Sequence, residues 1–541
     1  MKKWLLLLIA GLLLMLPTIA LAQDADESGD TQWWNERVWY EIFVRSFYDS
    51  DGDGIGDIQG IISQLDYLND GDPTTTDDLG ITGIWLMPIN PSPTYHGYDV
   101  TDYRAINPEY GTMEDFRELL AEAEARGIAI IIDLVLNHSA DDHPWFQAAL
   151  AGDPEFVDWY VFEEEDPGFR GPENQQVWYE TPSTAAIDAH YYALFWSEMP
   201  DLNYTNPDVT AEAYDIARYW LEDVGVAGFR LDAIKYLVEE GRIVENSGET
   251  LAWFADFQAY IKSIDPDALL IGEVWSNTPI ASVYVPDQVD MVFEFELARG
   301  LLRSATFGTT SSTLNALESV IENYPPNQYA TFLSNHDQDR VMSAVRGDVG
   351  DAKAAAVLLL TLPGVPFLYY GEEIGMVGDS TDPLRRTPMQ WSDAANSGFT
   401  TGEPWSDLND DFATVNVAAQ FDDPNSLLST YRGLIHARNA SPAVQHGTYT
   451  LVESTERRVI ASLRQYQGEI VLVLANIDDE PVTDYALTIA ASGLTNVTVP
   501  ELLLGDGELT LPDLNAEGGF SAYTPVPELP AQSATIIRLS Q

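Results

Sequence analysis

Eight short, apolar, β-rich runs recur at intervals along residues 38–370, and they limit the possible folds more than any other feature. They occupy 38–47, 81–87, 128–136, 226–231, 269–274, 291–295, 329–333 and 365–370. Amphipathic stretches such as 113–126 and 209–224 lie between most of them. Runs that are apolar throughout, rather than alternating, suit strands covered on both faces, as in a parallel sheet with crossover helices. Eight is also the number of parallel strands that closes on itself with a filled interior, so the expected fold is α/β, a (β/α)8 TIM barrel. An open doubly wound sheet would gather its polar motifs at one switch point. Here they follow many different strands.

Two segments break the alternation. Residues 137–225 are too long for one strand-to-helix connection, and they are rich in Trp, Tyr, Pro and acidic residues. Residues 138–204 are therefore expected to form a small inserted domain after the third strand. It would divide the barrel into 35–137 and 205–440. Beyond 440 the pattern turns to alternating strands such as Val459-Ile-Ala-Ser-Leu463, separated by turns such as Gly505-Asp-Gly507. Residues 441–541 are read as a C-terminal antiparallel β-sandwich.

The first 22 residues join two lysines, a long apolar run and a terminal Ala20-Leu-Ala22. That is the pattern of a signal peptide cleaved after Ala22, followed by a disordered leader over 23–34. No stable membrane anchor and an extracellular or periplasmic location are expected. The 541-residue chain has no Cys, so an exported protein of this kind holds its fold without disulfides. The formal charge of −60 would repel polyanions, which argues against a nucleic-acid partner. It favours solubility, and it also suits high salt, where screening removes self-repulsion. A monomer is expected.

The strand ends carry the chemistry. The third run leads to Asp133-Leu-Val-Leu-Asn137-His138 and the fourth to Arg230-Leu-Asp232-Ala233. The fifth ends in Glu273-Val-Trp275 and the seventh in Asn335-His336-Asp337. Residues two apart on a strand share a face, so Arg230 and Asp232 are expected to point together into the barrel mouth. Breaking an acetal takes one carboxylate that attacks or activates water and one carboxyl that protonates the leaving oxygen. The guanidinium of Arg230 is expected to keep Asp232 ionised, as a nucleophile requires. The apolar neighbours of Glu273 are expected to raise its pKa, as a general acid requires.

A second cluster is Asp49-Ser-Asp51-Gly-Asp53-Gly-Ile55-Gly-Asp57. Alternating Asp and Gly offers the oxygen ligands that a hard cation takes. It begins like an EF-hand loop, but the twelfth position is Gly60 and it follows a strand. Calcium bound by Asp49, Asp51, Asp53, Asp57 and the Ile55 carbonyl is the expectation.

These strand-end motifs resemble the signature regions of the α-amylase family, glycoside hydrolase family 13, in order. So do Gly83-Ile-Trp-Leu-Met-Pro88, His96-Gly-Tyr98-Asp99, Met199-Pro-Asp-Leu-Asn203 and Gly364-Val-Pro-Phe-Leu-Tyr-Tyr-Gly-Glu-Glu373. The resemblance covers roughly residues 35–440. It implies a retaining hydrolase of α-glucans with Asp232 as nucleophile, Glu273 as acid and base, and Asp337 as a transition-state stabiliser. Arg230 would orient Asp232, and Asp133 would support the base of the site. Tyr98, Asp99, His138 and His336 would contact the sugar. The metal loop is similar to that of the oligo-1,6-glucosidase branch. Tyr236 stands where many α-amylases have His, which puts a second calcium at Asn137 in doubt. Met199–Asn203 resembles a branch between oligo-1,6-glucosidases and neopullulanases, and Ala233 accompanies α-1,4 preference in related glucosidases. Endo-acting cleavage of starch-like α-glucans is the expectation, with an exo-acting α-glucosidase or a transglycosylase on short maltooligosaccharides as the alternative. Non-enzymatic relatives lack part of the catalytic set that is complete here.

Overall fold

The structure is a computed structural model that describes residues 32–540 apart from 496 and 498. The expected signal peptide, and all but the end of the leader, lie outside the described residues. In chain order the strands are β1 (Trp39–Ile42), β2 (Gly83–Leu86) and β3 (Ala129–Leu134), then β4 (Phe162–Glu163), β5 (Trp178–Glu180) and β6 (His190–Tyr192). There follow β7 (Gly228–Leu231), β8 (Leu269–Gly272), β9 (Met291–Phe293), β10 (Tyr329–Phe332) and β11 (Val365–Tyr369). The last seven are β12 (Thr448–Ser454), β13 (Val459–Tyr466), β14 (Glu469–Asn476), β15 (Leu487–Ala491), β16 (Glu501–Leu504), β17 (Gly518–Tyr523) and β18 (Ser533–Ser540).

Strands β1, β2, β3, β7, β8, β9, β10 and β11 close into a parallel barrel, with β1 paired to both β2 and β11. One side-chain parity fills it. Trp39, Trp85, Ile131, Leu269, Ile271, Phe293, Phe332 and Phe367 pack together inside. Ile84, Leu86, Ile130, Ile132, Phe229 and Leu270 face the helices outside. Trp39 stacks on Phe367 at 5.5 Å between ring centroids, and Gly83 leaves room for that indole, since a Cβ there would lie 2.5 Å from Trp39 Cε3. The same inward parity continues into Glu41, Asp133, Arg230 and Glu273 at the strand C-termini. The barrel is thus apolar at its base and charged at its mouth.

The strands are shorter than the apolar runs. Residues 38–47 read as one run, but β1 ends at Ile42 and Val44–Phe47 forms a helical turn. The neighbours explain the stop, because the β1 pairings end at Ile42 with Leu86 and at Glu41 with Tyr369. With no ladder partner left, the buried backbone satisfies itself locally, as when the Ser46 N–H donates to the Phe43 carbonyl at 3.0 Å. Among the crossover helices, Met113–Ala125 starts at a capping box between Thr112 and Asp115. Pro207–Arg218 starts at the Asn206 cap.

Residues between β3 and β7 carry a three-stranded antiparallel sheet in the order β4-β6-β5. Bridges between His138 and Asp201 and between Tyr160 and Leu202 close its base. Asn137 donates to Asp201 at 2.9 Å, tying the two ends of the insert together. The C-terminal strands form a seven-stranded antiparallel sheet, β16-β18-β14-β13-β12-β15-β17. It folds over at β12, whose first residues pair with β13 and whose last two pair with β15. Leu463, Leu472, Leu487, Phe520 and Ile537 form its own core, while Val471, Val473 and Ile536 pack toward the barrel. β14 is therefore apolar at nearly every position because both of its faces are covered. Among the described residues no helix is long and apolar enough to cross a membrane.

Candidate active site

A cleft of about 570 Å3 opens at the C-terminal mouth of the barrel. Its lining includes Tyr98, His138, Asp232, Glu273, Asp337 and Arg386. The volume suits a few sugar units and falls in the usual range of small-ligand sites.

Arg230 organises one wall. It is fully buried, with its guanidinium 5.1 Å from the ring centre of Trp85. Its Nη1 donates to both Asp133 carboxylate oxygens at 3.0 and 3.1 Å and to Asp232 Oδ1 at 2.6 Å. Its Nη2 donates to Glu273 Oε2 at 2.7 Å. One guanidinium from β7 thus holds carboxylates from three adjacent strand ends. Ala233 follows Asp232 in the left-handed region (φ 50°, ψ 34°), and its N–H donates to Glu273 Oε2 at 3.1 Å. That conformation is rare for a residue with a Cβ and is retained where the surroundings demand it.

The opposite wall is built around His336. Its Nδ1 faces Glu41 Oε1 at 2.5 Å, and its Nε2 faces Asp337 Oδ2 at 3.1 Å. The Tyr98 hydroxyl lies 2.7 Å from that same Nε2 and donates to Asp133 Oδ2 at 3.1 Å. The Tyr98 ring stacks on the His336 ring at 5.5 Å. Arg386 donates to Asp337 Oδ1 at 2.9 Å and to the His336 carbonyl at 3.1 Å. His138 is buried, with its Nε2 3.2 Å from the Tyr98 carbonyl.

Burial and charge act on these groups in opposite directions. Burial pushes the Asp232 carboxyl up to about 8, against the pull of Arg230, and the Glu273 and Asp133 charges add to the rise. The sequence expectation counted only the pull of Arg230 toward the ionised form of Asp232. It weighed one cation against one carboxylate, whereas three carboxylates share that cation in a buried setting. The Oε2 of Glu273 accepts from Arg230 and from the Ala233 N–H, polar contacts that the sequence reading did not include. Burial would raise Asp337, but His336 and Arg386 outweigh it and hold the carboxyl well below its usual range. Burial likewise opposes charge on His336, yet Asp337 and Glu41 push it up to about 10. Burial lowers His138 to about 3, so it is neutral.

Asp99 stands apart from this group. It is fully buried and accepts from the Ser92 and Thr94 hydroxyls within its own loop. Its carboxylate is not among the cleft-lining groups. Glu41 and Arg386 were not singled out from sequence, although an ionisable residue in the apolar run 38–47 was a visible signal. Phe195, Trp196 and Trp275, all substantially exposed, flank the cleft.

The acidic loop lies beside the barrel mouth. Asp49, Asp51 and Asp57 each present an oxygen within 4.8 Å of the others. Asp53 is not in that group and accepts from the Ile55 N–H at 2.8 Å. Asp49 is buried, and burial alone would raise its carboxyl. Hydrogen bonds from the Thr400 hydroxyl and from the Gly52, Gly54 and Asp51 N–H groups hold it below its usual range. An oxygen-only set of this kind suits a hard divalent cation.

Comparison with known proteins gives consistent matches. The model of the alpha amylase catalytic domain matches residues 41–447. "Alpha-amylase 3" of Dictyoglomus thermophilum is 39% identical over 454 residues, covering 82% of this chain and 85% of that protein. The oligo-1,6-glucosidase of Parageobacillus thermoglucosidasius is 32% identical over 525 residues, covering 83% and 91%. The crystal structure of the alpha-amylase from H. orenii superposes with a TM-score of 0.80 at 38% identity, covering 93% of this chain and 99% of that one.

Proposed function

The chain belongs to the α-amylase family of glycoside hydrolases, and from that membership we propose that it cleaves internal α-1,4 bonds of starch-like glucans with retention. The observation that carries the proposal is the Arg230 guanidinium, which holds Asp232 and Glu273 together at the mouth of an open cleft. Asp232 attacks the anomeric carbon while Glu273 protonates the departing glycosidic oxygen. Asp232 then bears the sugar as an ester, and Glu273, now a carboxylate, takes a proton from the water that releases it. Asp337, held ionised by His336 and Arg386, accepts hydrogen bonds from two sugar hydroxyls and favours the cationic transition state. Tyr98 stacks on the sugar at the cleavage point, while His138 and His336 hydrogen-bond its hydroxyls.

Endo action is supported by exposed aromatic side chains on both flanks of the cleft, Phe195 and Trp196 from the insert and Trp275 after β8. They extend the stacking surface past a single bond. Ala233 and the higher identity to the two amylases than to the oligo-1,6-glucosidase support the α-1,4 assignment. An exo-acting α-glucosidase or a transglycosylase on short oligosaccharides is the second reading, favoured by the maltase and trehalose synthase among the relatives. A timed product profile on soluble starch, pullulan and maltotriose separates them. Rapid loss of iodine staining with mixed maltooligosaccharides supports endo cleavage, whereas glucose alone from short substrates overturns it.

Calcium at the loop of Asp49, Asp51, Asp53, Asp57 and the Ile55 carbonyl is part of the same proposal. There it would fix the segment after β1, which Asp49 already ties to Thr400. Export with cleavage after Ala22 and a monomeric state complete the reading. N-terminal sequencing of secreted material and light scattering of the purified protein test these two points.

A further inference from the structure

Both ring nitrogens of His336 face a carboxylate. Nδ1 lies 2.5 Å from Glu41 Oε1, and Nε2 lies 3.1 Å from Asp337 Oδ2. The third neighbour, the Tyr98 hydroxyl, spends its proton on Asp133, so its oxygen accepts from Nε2. A neutral imidazole has one N–H and one bare lone pair. Either tautomer would aim that lone pair at a carboxylate, at Glu41 in the enclosed barrel interior or at Asp337 on the cleft wall. Only the imidazolium satisfies every contact.

From this arrangement we propose that Glu41 is a positioning residue, which holds His336 as an imidazolium so that its Nε2–H fixes Asp337 and Tyr98 for the sugar. The proposal rests on the assignment of Asp337 and His336 to substrate contact given above. The remaining groups around the ring fit it. Five carboxylates join the Arg230–His336 network, those of Glu41, Asp133, Asp232, Glu273 and Asp337. Among the described residues, the guanidiniums bonded to them are those of Arg230 and, through Asp337, Arg386. A charged His336 is the third cation bonded to this set, on the carboxylate wall that Arg230 does not bond. The Trp85 ring edge packs against it at 5.7 Å and adds no competing acceptor. The residue responsible sits one strand-face repeat beyond Trp39, on the inward side of β1. It belongs to the barrel scaffold and acts through another residue rather than on the substrate.

The test uses the full-length protein with 15N-labelled histidine, Glu41→Gln and Glu41→Asp variants, and His336→Asn to assign the resonance among seven histidines. In the wild type at about pH 8, both His336 nitrogens should carry protons, where an ordinary histidine is neutral. In Glu41→Gln the titration midpoint should fall by about one to three pH units, and Glu41→Asp should restore it. Turnover of a chromogenic maltooligosaccharide should follow. The Glu41→Gln deficit in kcat/KM should widen from about pH 6 to about pH 8 as the proton leaves, with Glu41→Asp recovering the alkaline rate. A neutral His336 in the wild type at about pH 8 overturns the proposal, as does an unchanged midpoint in Glu41→Gln. If Glu41→Gln does not fold, the wild-type spectrum still decides. Absence of α-glucan hydrolysis in the wild type would count against the functional reading alone, because the titration is read without turnover.

Discussion

Replacing Arg230 by Met removes the charge that three carboxylates share, and with it the guanidinium that lies over Trp85 and Tyr98, while keeping an apolar stem. Four hydrogen bonds go with it, two to Asp133 and one each to Asp232 and Glu273. Breaking a buried ion pair by removing one partner costs about 3–5 kcal/mol, because the other charge stays uncompensated. Here the stranded carboxylates can escape part of that cost by taking up protons. Burial already raises Asp133 and Asp232 against the pull of Arg230, so loss of that pull raises both further. A carboxyl whose folded pKa lies above its unfolded value holds a proton that the unfolded chain has released. Stability then falls as pH rises through that window. The loss relative to wild type should therefore be about 3–5 kcal/mol near pH 8 and clearly smaller near pH 5. Urea unfolding followed by tryptophan fluorescence at the two pH values measures it. A loss below about 1 kcal/mol at both, or one that does not shrink at the lower pH, would refute the view that Arg230 compensates buried charge.

Asp232→Asn, Glu273→Gln and Asp337→Asn should each lower kcat by a thousandfold or so while leaving the fold intact. Near-native turnover by folded Glu273→Gln would end its assignment as the acid. Chelation should lower the melting temperature, and added calcium should restore it; an indifferent melting curve speaks against a cation at Asp49, Asp51 and Asp57. Trp196→Ala should weaken use of long substrates by about 2- to 10-fold in kcat/KM, the worth of one stacking contact, with less effect on maltotriose. Equal effects on both would place Trp196 outside the binding track. With a net charge of −60, stability should rise with salt as self-repulsion is screened, and activity that falls steadily from low salt upward would argue against adaptation to high salt.

The alternation of apolar runs and amphipathic stretches was enough to read a closed parallel barrel, its interruption after β3 and its β-rich C-terminus. Those features come from burial on both faces and from periodicity, which are local properties of the chain. Spacing also carried the site in part. Arg230 and Asp232 share a face because they are two apart on one strand, and Asp337 follows His336 at another strand end. What the chain does not display is how charges from different strands meet. That Arg230 serves three carboxylates, and that burial and neighbouring charges oppose its pull on Asp232, depend on β3, β7 and β8 being neighbours in the closed barrel. Glu41 and His336 lie 295 residues apart, and Arg386 reaches Asp337 from a loop beyond β11. Electrostatic balance in a buried site is a sum over everything within a few ångströms, and only the tertiary structure decides which residues enter that sum.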